Sequence, residues 1–178
     1  MTPQIAVFGA SATPPDHPDY RAGLRLGRLL AEGGFAVATG GYSGLMEAVS
    51  RGAAEAGGHV VGITAPGLFP SRPGANEWVA EERPAATLTD RIGDMLATSA
   101  ASIALQGSIG TMTELLVAWN DAFITALDGS EPGPVVAVGE AWAEFVSAIG
   151  ERLATDASLV TCVDDVESAA AEVAARLG

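Results

Sequence analysis

A glycine-rich turn stands between an apolar segment and a helical pattern in the middle of the chain. The apolar segment covers residues 101–105, the turn begins at Gln106, and the helical pattern covers residues 112–127. Such a turn directs backbone N–H groups out of the positive end of a helix, where they can bind phosphate without a lysine. The first helical turn carries one carboxylate, Glu114. The pattern predicts an anion site with an acid beside it; the alternative is a strand-to-helix connection that binds no ligand.

Apolar runs alternate with helical patterns along the rest of the chain. The predicted strands cover residues 5–9, 35–39, 59–64, 134–138 and 158–163, with a short one at 77–81, and the predicted helices cover 19–32, 45–56, 87–96, 141–153 and 165–177. This alternation predicts an α/β fold with a mainly parallel sheet. Because no linker, repeat or domain break interrupts it, we expect residues 1–178 to form a single domain.

A second glycine turn follows the second predicted strand, with glycines at Gly40, Gly41 and Gly44. Right-handed crossover connections would place it at the same sheet edge as the central turn. Its spacing is a weak match to a dinucleotide-binding fingerprint, because the expected acid at the end of the next strand is absent. Two such turns in one small sheet favour a shared ligand site, and the alternative is close packing of helix against strand.

Three other segments supply candidate site residues. Ser11 follows the first strand, at the edge where open α/β sheets bind ligands, and the alternative is a simple turn residue. Arg91 and Met95 are four residues apart on one face of the helix that leads into the central strand, and Arg91 could instead be a solvated surface residue. The loop at 65–76 is long enough to cover the site.

Charge excludes several classes of function. All nine basic residues are arginine, against 22 acidic residues, which gives a net charge of −13. A nucleic-acid surface is therefore not expected, since it requires a basic stripe. Without lysine, neither a pyridoxal phosphate enzyme nor a Walker-type nucleotide site can exist. Two histidines and one cysteine, far apart in sequence, make a zinc site improbable. We expect neither a metal nor an organic cofactor.

Length, hydropathy and cysteine content indicate the compartment. The longest apolar runs fall far short of the ~20 residues of a membrane helix, and no signal peptide opens the sequence. Cys162 is the single cysteine and cannot form an internal disulfide, which fits a reducing environment. We expect a cytoplasmic protein without a membrane partner.

The paired glycine motifs resemble those of the Lonely Guy family, whose members are often labelled possible lysine decarboxylases. The resemblance lies in Gly40-Gly41-x-x-Gly44-Leu45-Met46 and in the segment from Gly107 to Glu114. It implies a Rossmann-like three-layer sandwich and a homodimer. It also implies hydrolysis of the N-glycosidic bond of a cytokinin nucleoside 5′-monophosphate or AMP, which releases free base and ribose 5-phosphate. The absence of lysine contradicts the decarboxylase label.

The resemblance also implies roles for individual residues. Arg91 lies fifteen residues before Gln106, at the spacing of the family's catalytic arginine, and Glu114 is the catalytic carboxylate. The implied phosphate-binding residues are those of the central turn: Gly107, Ser108, Ile109, Gly110 and Thr111. Gly40, Gly41 and Gly44 would line the neighbouring crevice, with Ser11 and Met95 also in contact with the substrate.

This sequence departs from the family pattern at three positions. Gln106 replaces a proline, Ser108 replaces the middle glycine, and Thr113 replaces an acid. Similar motifs occur in molybdenum-cofactor carrier-like proteins, which bind without hydrolysis. The alternatives to hydrolysis are a non-enzymatic binder of a nucleotide or pterin-type cofactor, and a structural paralogue without activity.

Overall fold

The computed structural model describes residues 2–72 and 74–178. Seven strands are found there: β1 (Gln4–Phe8), β2 (Ala36–Thr39), β3 (Val60–Thr64), β4 (Glu81–Pro84), β5 (Ala101–Ala104), β6 (Val135–Val138) and β7 (Val160–Val163). They form one sheet in the order β4-β3-β2-β1-β5-β6-β7, and each neighbouring pair is parallel. The predicted α/β fold with a parallel sheet is confirmed.

Helices cover both faces of this sheet. They are α1 (Pro18–Glu32), α2 (Leu45–Glu55), α3 (Leu88–Ala97), α4 (Ile109–Leu127), α5 (Glu140–Leu153) and α6 (Val166–Leu177), with a short 3₁₀ helix at Ala157–Leu159. One apolar core joins the sheet to α1, α2 and α6, and a second joins it to α3, α4 and α5. Since both faces are covered, the inner strands are apolar runs without alternation. The expected three-layer Rossmann-like sandwich is therefore confirmed.

Two elements have boundaries that differ from the predicted ones by three residues or more, and the others agree within two residues. The helix after the central turn begins at Ile109, three residues earlier than predicted, because Ser108 has extended backbone and serves as its N-cap. The predicted strand at 77–81 is instead β4, at Glu81–Pro84. Residues 76–79 form a turn in which the carbonyl oxygen of Asn76 accepts a hydrogen bond from Val79 N–H. The edge strand can therefore begin only after that turn.

The chain reverses direction across the sheet at β1. The order runs from β1 outward through β2 and β3 on one side, and β5 lies on the other side of β1. In open α/β sheets, ligands bind outside the carboxyl ends of the strands at such a switch point. Both glycine turns follow carboxyl ends at this same edge, as predicted. Among the described helices, none is long and apolar enough to cross a bilayer.

Candidate active site

A cleft of about 120 Å³ opens at the carboxyl edge of the sheet, beside the switch point. One wall comes from the segment after β1, including Ser11, and from Tyr42 and Met46 after β2. Phe69 and Arg72, from the loop after β3, form another side. Arg91 of α3 and the first two turns of α4 complete the cleft. Folding therefore brings together segments that are distant in sequence.

Arg91 and Glu114 form a buried ion pair in the wall of this cleft. Arg91 Nη1 donates to Glu114 Oε1 at 3.2 Å, and the two side chains are only 7% and 11% exposed. Arg91 Nε donates to the carbonyl oxygen of Ile63 at 2.8 Å, and Nη2 lies 3.8 Å from the sulfur of Met46. Three contacts thus fix the guanidinium group, which holds the carboxylate in one orientation. Sequence reasoning predicted both members of this pair as site residues.

The carboxyl group of Glu114 has an unusual proton affinity. Burial raises its pKa from 4.5 to about 7, because the charged form is poorly solvated there, and the Arg91 guanidinium opposes this rise without cancelling it. A carboxyl group with a pKa near neutrality can accept or release a proton at physiological pH. Perturbed carboxyl groups in clefts are typical of functional sites.

The N-terminus of α4 forms the opposite side of the cleft. Ser108, Gly110 and Thr111 line it. Because α4 begins at Ile109, Glu114 lies in its second turn and not in the first as predicted, and the first turn carries no acidic residue and no side-chain cap. The N–H of Met112 is the first to bond back, to the carbonyl oxygen of Ser108, so the preceding N–H groups are free of intrahelical acceptors. Backbone donors and the helix dipole therefore favour an anion at this end of the cleft.

The remaining residues of the central turn have other surroundings. A Cβ atom on Gly107 would overlap the side chain of Thr111, so the glycine lets Thr111 lie close above it. The side chain of Ile109 is 70% exposed and lies outside the cleft walls, which leaves only its backbone at the site. Thr111 is buried and contributes to the cleft.

The three glycines of the first turn do not line the cleft as expected, although Tyr42 between them does; the glycines pack behind its wall. A Cβ atom on Gly40 would overlap the guanidinium group of Arg91. Gly41 has φ +75°, and its carbonyl oxygen accepts hydrogen bonds from the backbone and side chain of Asn76. Gly44 has φ +73° and no room for a side chain beside the carbonyl oxygen of Ala10. These three glycines therefore serve packing and backbone geometry rather than ligand contact.

Two further expectations meet different outcomes in the structure. Ser11 lines the cleft, where its hydroxyl accepts a hydrogen bond from Arg72 Nη2 at 3.2 Å. Met95 does not line it: the side chain is fully buried in the core shared by α3, α4 and α5. Met95 shares a helix face with Arg91, but its side chain is covered by the core, so a direct contact with a ligand is excluded in this arrangement.

Six residues that line the cleft were not predicted as site residues: Gly9, Ala10, Met46, Tyr42, Phe69 and Arg72. The rings of Tyr42 and Phe69 meet edge to face, with centroids 5.5 Å apart. The Arg72 guanidinium lies 4.7 Å from the first centroid and 4.9 Å from the second. Only the length of the loop at 65–76 signalled Phe69 and Arg72, since side chains in a loop carry no periodic pattern, and Tyr42 lies in the glycine turn whose glycines were predicted instead.

Gln106 faces a different cavity. Its side chain donates to the carbonyl oxygen of Val138 at 3.4 Å and lines a cavity of about 410 Å³ beyond β5, β6 and β7. That cavity is larger than the cleft but contains neither Arg91 nor Glu114. Of the positions that depart from the family pattern, Ser108 lies in the cleft and Gln106 does not. Within residues 2–72 and 74–178, no cluster of three His, Cys, Asp or Glu side chains is arranged to hold a metal ion.

Comparison with known proteins places this architecture in a family. The profile of the SLOG cluster4 family matches residues 2–131. This chain belongs to the SLOG cluster4 family. An uncharacterised protein of Archaeoglobus fulgidus is 34% identical to it over 116 residues, which cover 65% of this chain and 72% of that protein.

The chain is also similar to plant proteins named as phosphoribohydrolases. This similarity confirms the resemblance to the Lonely Guy family found in the glycine motifs. The probable cytokinin riboside 5′-monophosphate phosphoribohydrolase LOGL5 of Oryza sativa subsp. japonica is 39% identical over 115 residues, covering 64% of this chain and 46% of that protein. The cytokinin riboside 5′-monophosphate phosphoribohydrolase LOG of the same plant is 36% identical over 114 residues, covering 64% and 47%. The chain thus spans about half the length of these curated relatives.

Solved structures match the chain over nearly its whole length. The molybdenum cofactor binding protein of Rippkaea orientalis aligns with a TM-score of 0.77 at 22% identity and covers 100% of this chain and 99% of that one. The molybdenum cofactor carrier protein of Chlamydomonas reinhardtii aligns with a TM-score of 0.74 at 25% identity and covers 99% of both. These likenesses show that the SLOG chain has the fold of those proteins.

Proposed function

We propose that residues 1–178 form one nucleotide-binding domain that hydrolyses the N-glycosidic bond of a nucleoside 5′-monophosphate. The products are the free base and ribose 5-phosphate, and the candidate substrates are AMP and cytokinin-type AMP derivatives. The observation that carries the proposal is the buried pair of Arg91 and Glu114 beside the open N-terminus of α4. The names of the plant relatives support the same reaction class.

The geometry suggests how the groups divide the reaction. The 5′-phosphate binds the free N–H groups and hydroxyls at Ser108–Thr111, which leaves the ribose near Glu114, one turn further along α4. Breaking the bond to the base creates positive charge at the anomeric carbon, as in other glycoside hydrolysis. Ionised Glu114 stabilises that charge and takes a proton from the attacking water, while the base leaves with the bonding electrons and is then protonated.

Arg91 acts mainly through Glu114 in this scheme. Its nitrogens are occupied by Ile63, Met46 and Glu114, so the guanidinium is a fixed partner of the carboxylate. A positive charge at this distance favours the ionised carboxylate that the reaction requires. This arrangement supports the role of orienting and ionising Glu114 over the alternative of protonating the leaving base.

Product release with a matched variant tests the proposal. The purified protein is incubated with AMP and with isoprenylated AMP, and free base is followed by chromatography. Glu114→Gln should lower the rate about 10²- to 10⁴-fold, as loss of a general base or an electrostatic group does. Glu140→Gln, the same change at an exposed position in the first turn of α5, should not. Near-full release by Glu114→Gln, or no release from either nucleotide by the folded wild type, would overturn the proposal.

A second candidate function is binding of a nucleotide or a molybdenum-cofactor-type ligand without hydrolysis. The molybdenum cofactor carrier protein of Chlamydomonas reinhardtii, which aligns over 99% of the chain at 25% identity, supports it. Under this alternative Glu114→Gln would keep ligand affinity, and the wild type would bind AMP without forming base. Product formation therefore separates the two candidates.

The partner that we propose besides the nucleotide is a second copy of the chain, bound through α4. This helix buries one face against the sheet but leaves Leu116, Val117, Ile124 and Leu127 exposed on the other, the last of these at 70%. A face of this kind is more apolar than a typical monomer surface. Sedimentation analysis should give twice the 17.9 kDa of one chain. A single-chain mass at micromolar concentration would contradict the homodimer.

A further inference from the structure

Arg72 is an arginine of the cleft without a carboxylate partner. Among the residues that the structure describes, no Asp or Glu oxygen lies within ion-pair distance of it. Its one side-chain hydrogen bond goes to the hydroxyl of Ser11, and its guanidinium lies over the rings of Tyr42 and Phe69. Arg91, in the same cleft, is neutralised by Glu114. Arg72 therefore supplies positive charge that the protein itself does not neutralise.

This lack of a partner is unusual in so acidic a chain. Acidic residues outnumber the nine arginines by 22 to 9, and six of those arginines form ion pairs. Apart from Arg72, the arginines without one in the described chain are Arg21 and Arg152, and both are exposed to solvent. Arg72 is half-buried beside the cleft. A half-buried cation loses hydration, and an anionic ligand would restore favourable charge interactions.

The loop around Arg72 is anchored to the sheet. The side-chain amide of Asn76 donates to the carbonyl oxygens of Gly41 and Tyr42, at 3.1 and 2.9 Å. The carboxylate of Glu82 accepts hydrogen bonds from Ala75 N–H and from the Thr64 hydroxyl. Arg72 N–H itself donates to the carbonyl oxygen of Phe69 at 2.9 Å, so its side chain enters the cleft from a hydrogen-bonded turn.

Arg72 also lines two neighbouring cavities. The cleft with the Arg91–Glu114 pair measures about 120 Å³, and a second cavity of about 260 Å³ shares Tyr42 and Arg72 with it. Small-molecule sites usually exceed ~300 Å³, which the two volumes reach only together. Movement of the guanidinium away from the aromatic rings would connect them and make room for a nucleotide.

We propose that Arg72 is the cationic contact for the 5′-phosphate and thereby selects nucleoside monophosphates over nucleosides. Its guanidinium exchanges the Ser11 hydroxyl for phosphate oxygens and meets the ligand from the loop side, opposite the N-terminus of α4. Arginine suits this task because its planar fork can bind two phosphate oxygens while one face stacks on an aromatic ring. The inference rests on the proposed function, since it concerns the same site.

Binding of two probes, each of which carries one part of the nucleotide, tests the role of Arg72. Ribose 5-phosphate carries the phosphate without the base, and adenosine carries the base without the phosphate; both are titrated calorimetrically into wild type, Arg72→Ala, Arg72→Lys and Arg152→Ala. Arg72→Ala should weaken ribose 5-phosphate about 10- to 100-fold, the range for a lost charged hydrogen bond, and change adenosine binding less than about threefold. Arg72→Lys should lose less of the affinity for ribose 5-phosphate than Arg72→Ala, because lysine keeps the positive charge but not the two parallel N–H donors of the guanidinium group.

Arg152→Ala is the matched control, since it removes the same charge from an exposed position on α5. A loss of ribose 5-phosphate affinity in Arg72→Ala no larger than in this control would overturn the inference, as would an equal loss for adenosine. These titrations do not depend on turnover. If AMP yields no free base but ribose 5-phosphate binding still requires Arg72, the proposed hydrolysis fails and the phosphate contact stands.

Discussion

The two glycine-rich turns look alike in sequence but differ in the folded protein. Each follows a strand, begins a helix and lies at the same edge of the sheet. In the first turn, Gly40, Gly41 and Gly44 are buried and each faces an atom that a side chain would overlap or crowd. In the second turn, Gly110 is exposed and faces open space at the cleft. Gly107 of the second turn also makes room for a protein side chain, that of Thr111, so the difference lies in Gly110, which alone leaves room for a ligand.

The catalytic pair that we propose joins these two regions. Arg91 occupies the space that Gly40 leaves, and Glu114 lies in α4, the helix that the second turn begins. A change in the first turn should thus act on the reaction through Arg91, whereas a change in the second should act through the ligand. Substitutions that separate activity from stability can test this difference.

The largest effect should come from Gly40→Ala. The added methyl group would overlap the guanidinium of Arg91 and lie 2.5 Å from the sulfur of Met46, so Arg91 must leave its place against Glu114. We expect base release from AMP to fall about 10²- to 10⁴-fold, as for direct loss of an electrostatic group. The free energy of unfolding should fall by only about 1–3 kcal/mol, the usual cost of overpacking. Steady-state kinetics and denaturant unfolding measure the two effects.

A double variant shows whether this loss passes through Arg91. If it does, Gly40→Ala combined with Arg91→Ala should be no less active than Arg91→Ala alone, because the interaction is already absent. Multiplied losses in the double variant would instead mean that Gly40 acts on the substrate directly. That result would mean that both turns act on the ligand, and the distinction between them would be wrong.

A smaller effect on the rate is expected from a change of pH. The rate should depend on pH because Arg91 and Glu114, which connect the two turns, form an ionisable pair. The pKa of Glu114 is about 7, and the ionised form is the active one in the proposed mechanism. Below that pKa, kcat for AMP should fall about tenfold per pH unit, or about 50-fold from neutrality to pH 5, and it should approach a plateau about one pH unit above the pKa. Displacement of Arg91 by Gly40→Ala should move the descending limb to higher pH, since the guanidinium lowers this pKa. A flat profile between pH 5 and 8 would rule out ionised Glu114 as the essential group.

The same shift has a consequence for stability. The pKa of Glu114 is raised by folding from 4.5 to about 7, so the folded protein keeps a proton that the unfolded chain releases within this interval. The bound proton of Glu114 stabilises the folded state. This contribution to the free energy of unfolding is fully present below pH 4.5 and is lost as the pH rises to about 7. The loss is on the order of 3 kcal/mol. The free energy of unfolding of wild type should fall by this amount relative to that of Glu114→Gln between pH 4.5 and 7, since the amide does not titrate.

Much of the fold, but less of the candidate site, could be predicted from the sequence, and the difference has physical reasons. Apolar runs and helical periods report burial directly, so the parallel sheet was predictable from them, whereas the strand order that places the switch point at β1 was not. The spacing from Arg91 to Gln106 and the glutamate of the second motif identified the pair through family resemblance. The role of Gly40 was not predictable, because it depends on where the side chain of Arg91 packs 51 residues later. Tyr42, Phe69 and Arg72 reach the cleft by loop geometry, which has no sequence period.

The smallest effect, and the sharpest contrast with Gly40, should come from Gly110→Ala. No atom lies within 4 Å of the added methyl group, and alanine favours helical backbone, so the free energy of unfolding should rise by about 0.5–1 kcal/mol. The methyl group lines the place where phosphate would approach the first turn of α4, so KM for AMP should rise about fivefold, with kcat nearly unchanged.

Gly93→Ala provides the matched control for Gly110→Ala. It is also an exposed helical position with no atom near the new methyl group, and it lies outside the cleft. It should give the same gain in stability without a change in KM. Equal KM values in both variants would mean that phosphate does not approach Gly110. The glycine of the second turn would then have only the structural role that the first turn already shows, and the phosphate would have to bind through Ser108, Thr111 and Arg72 alone.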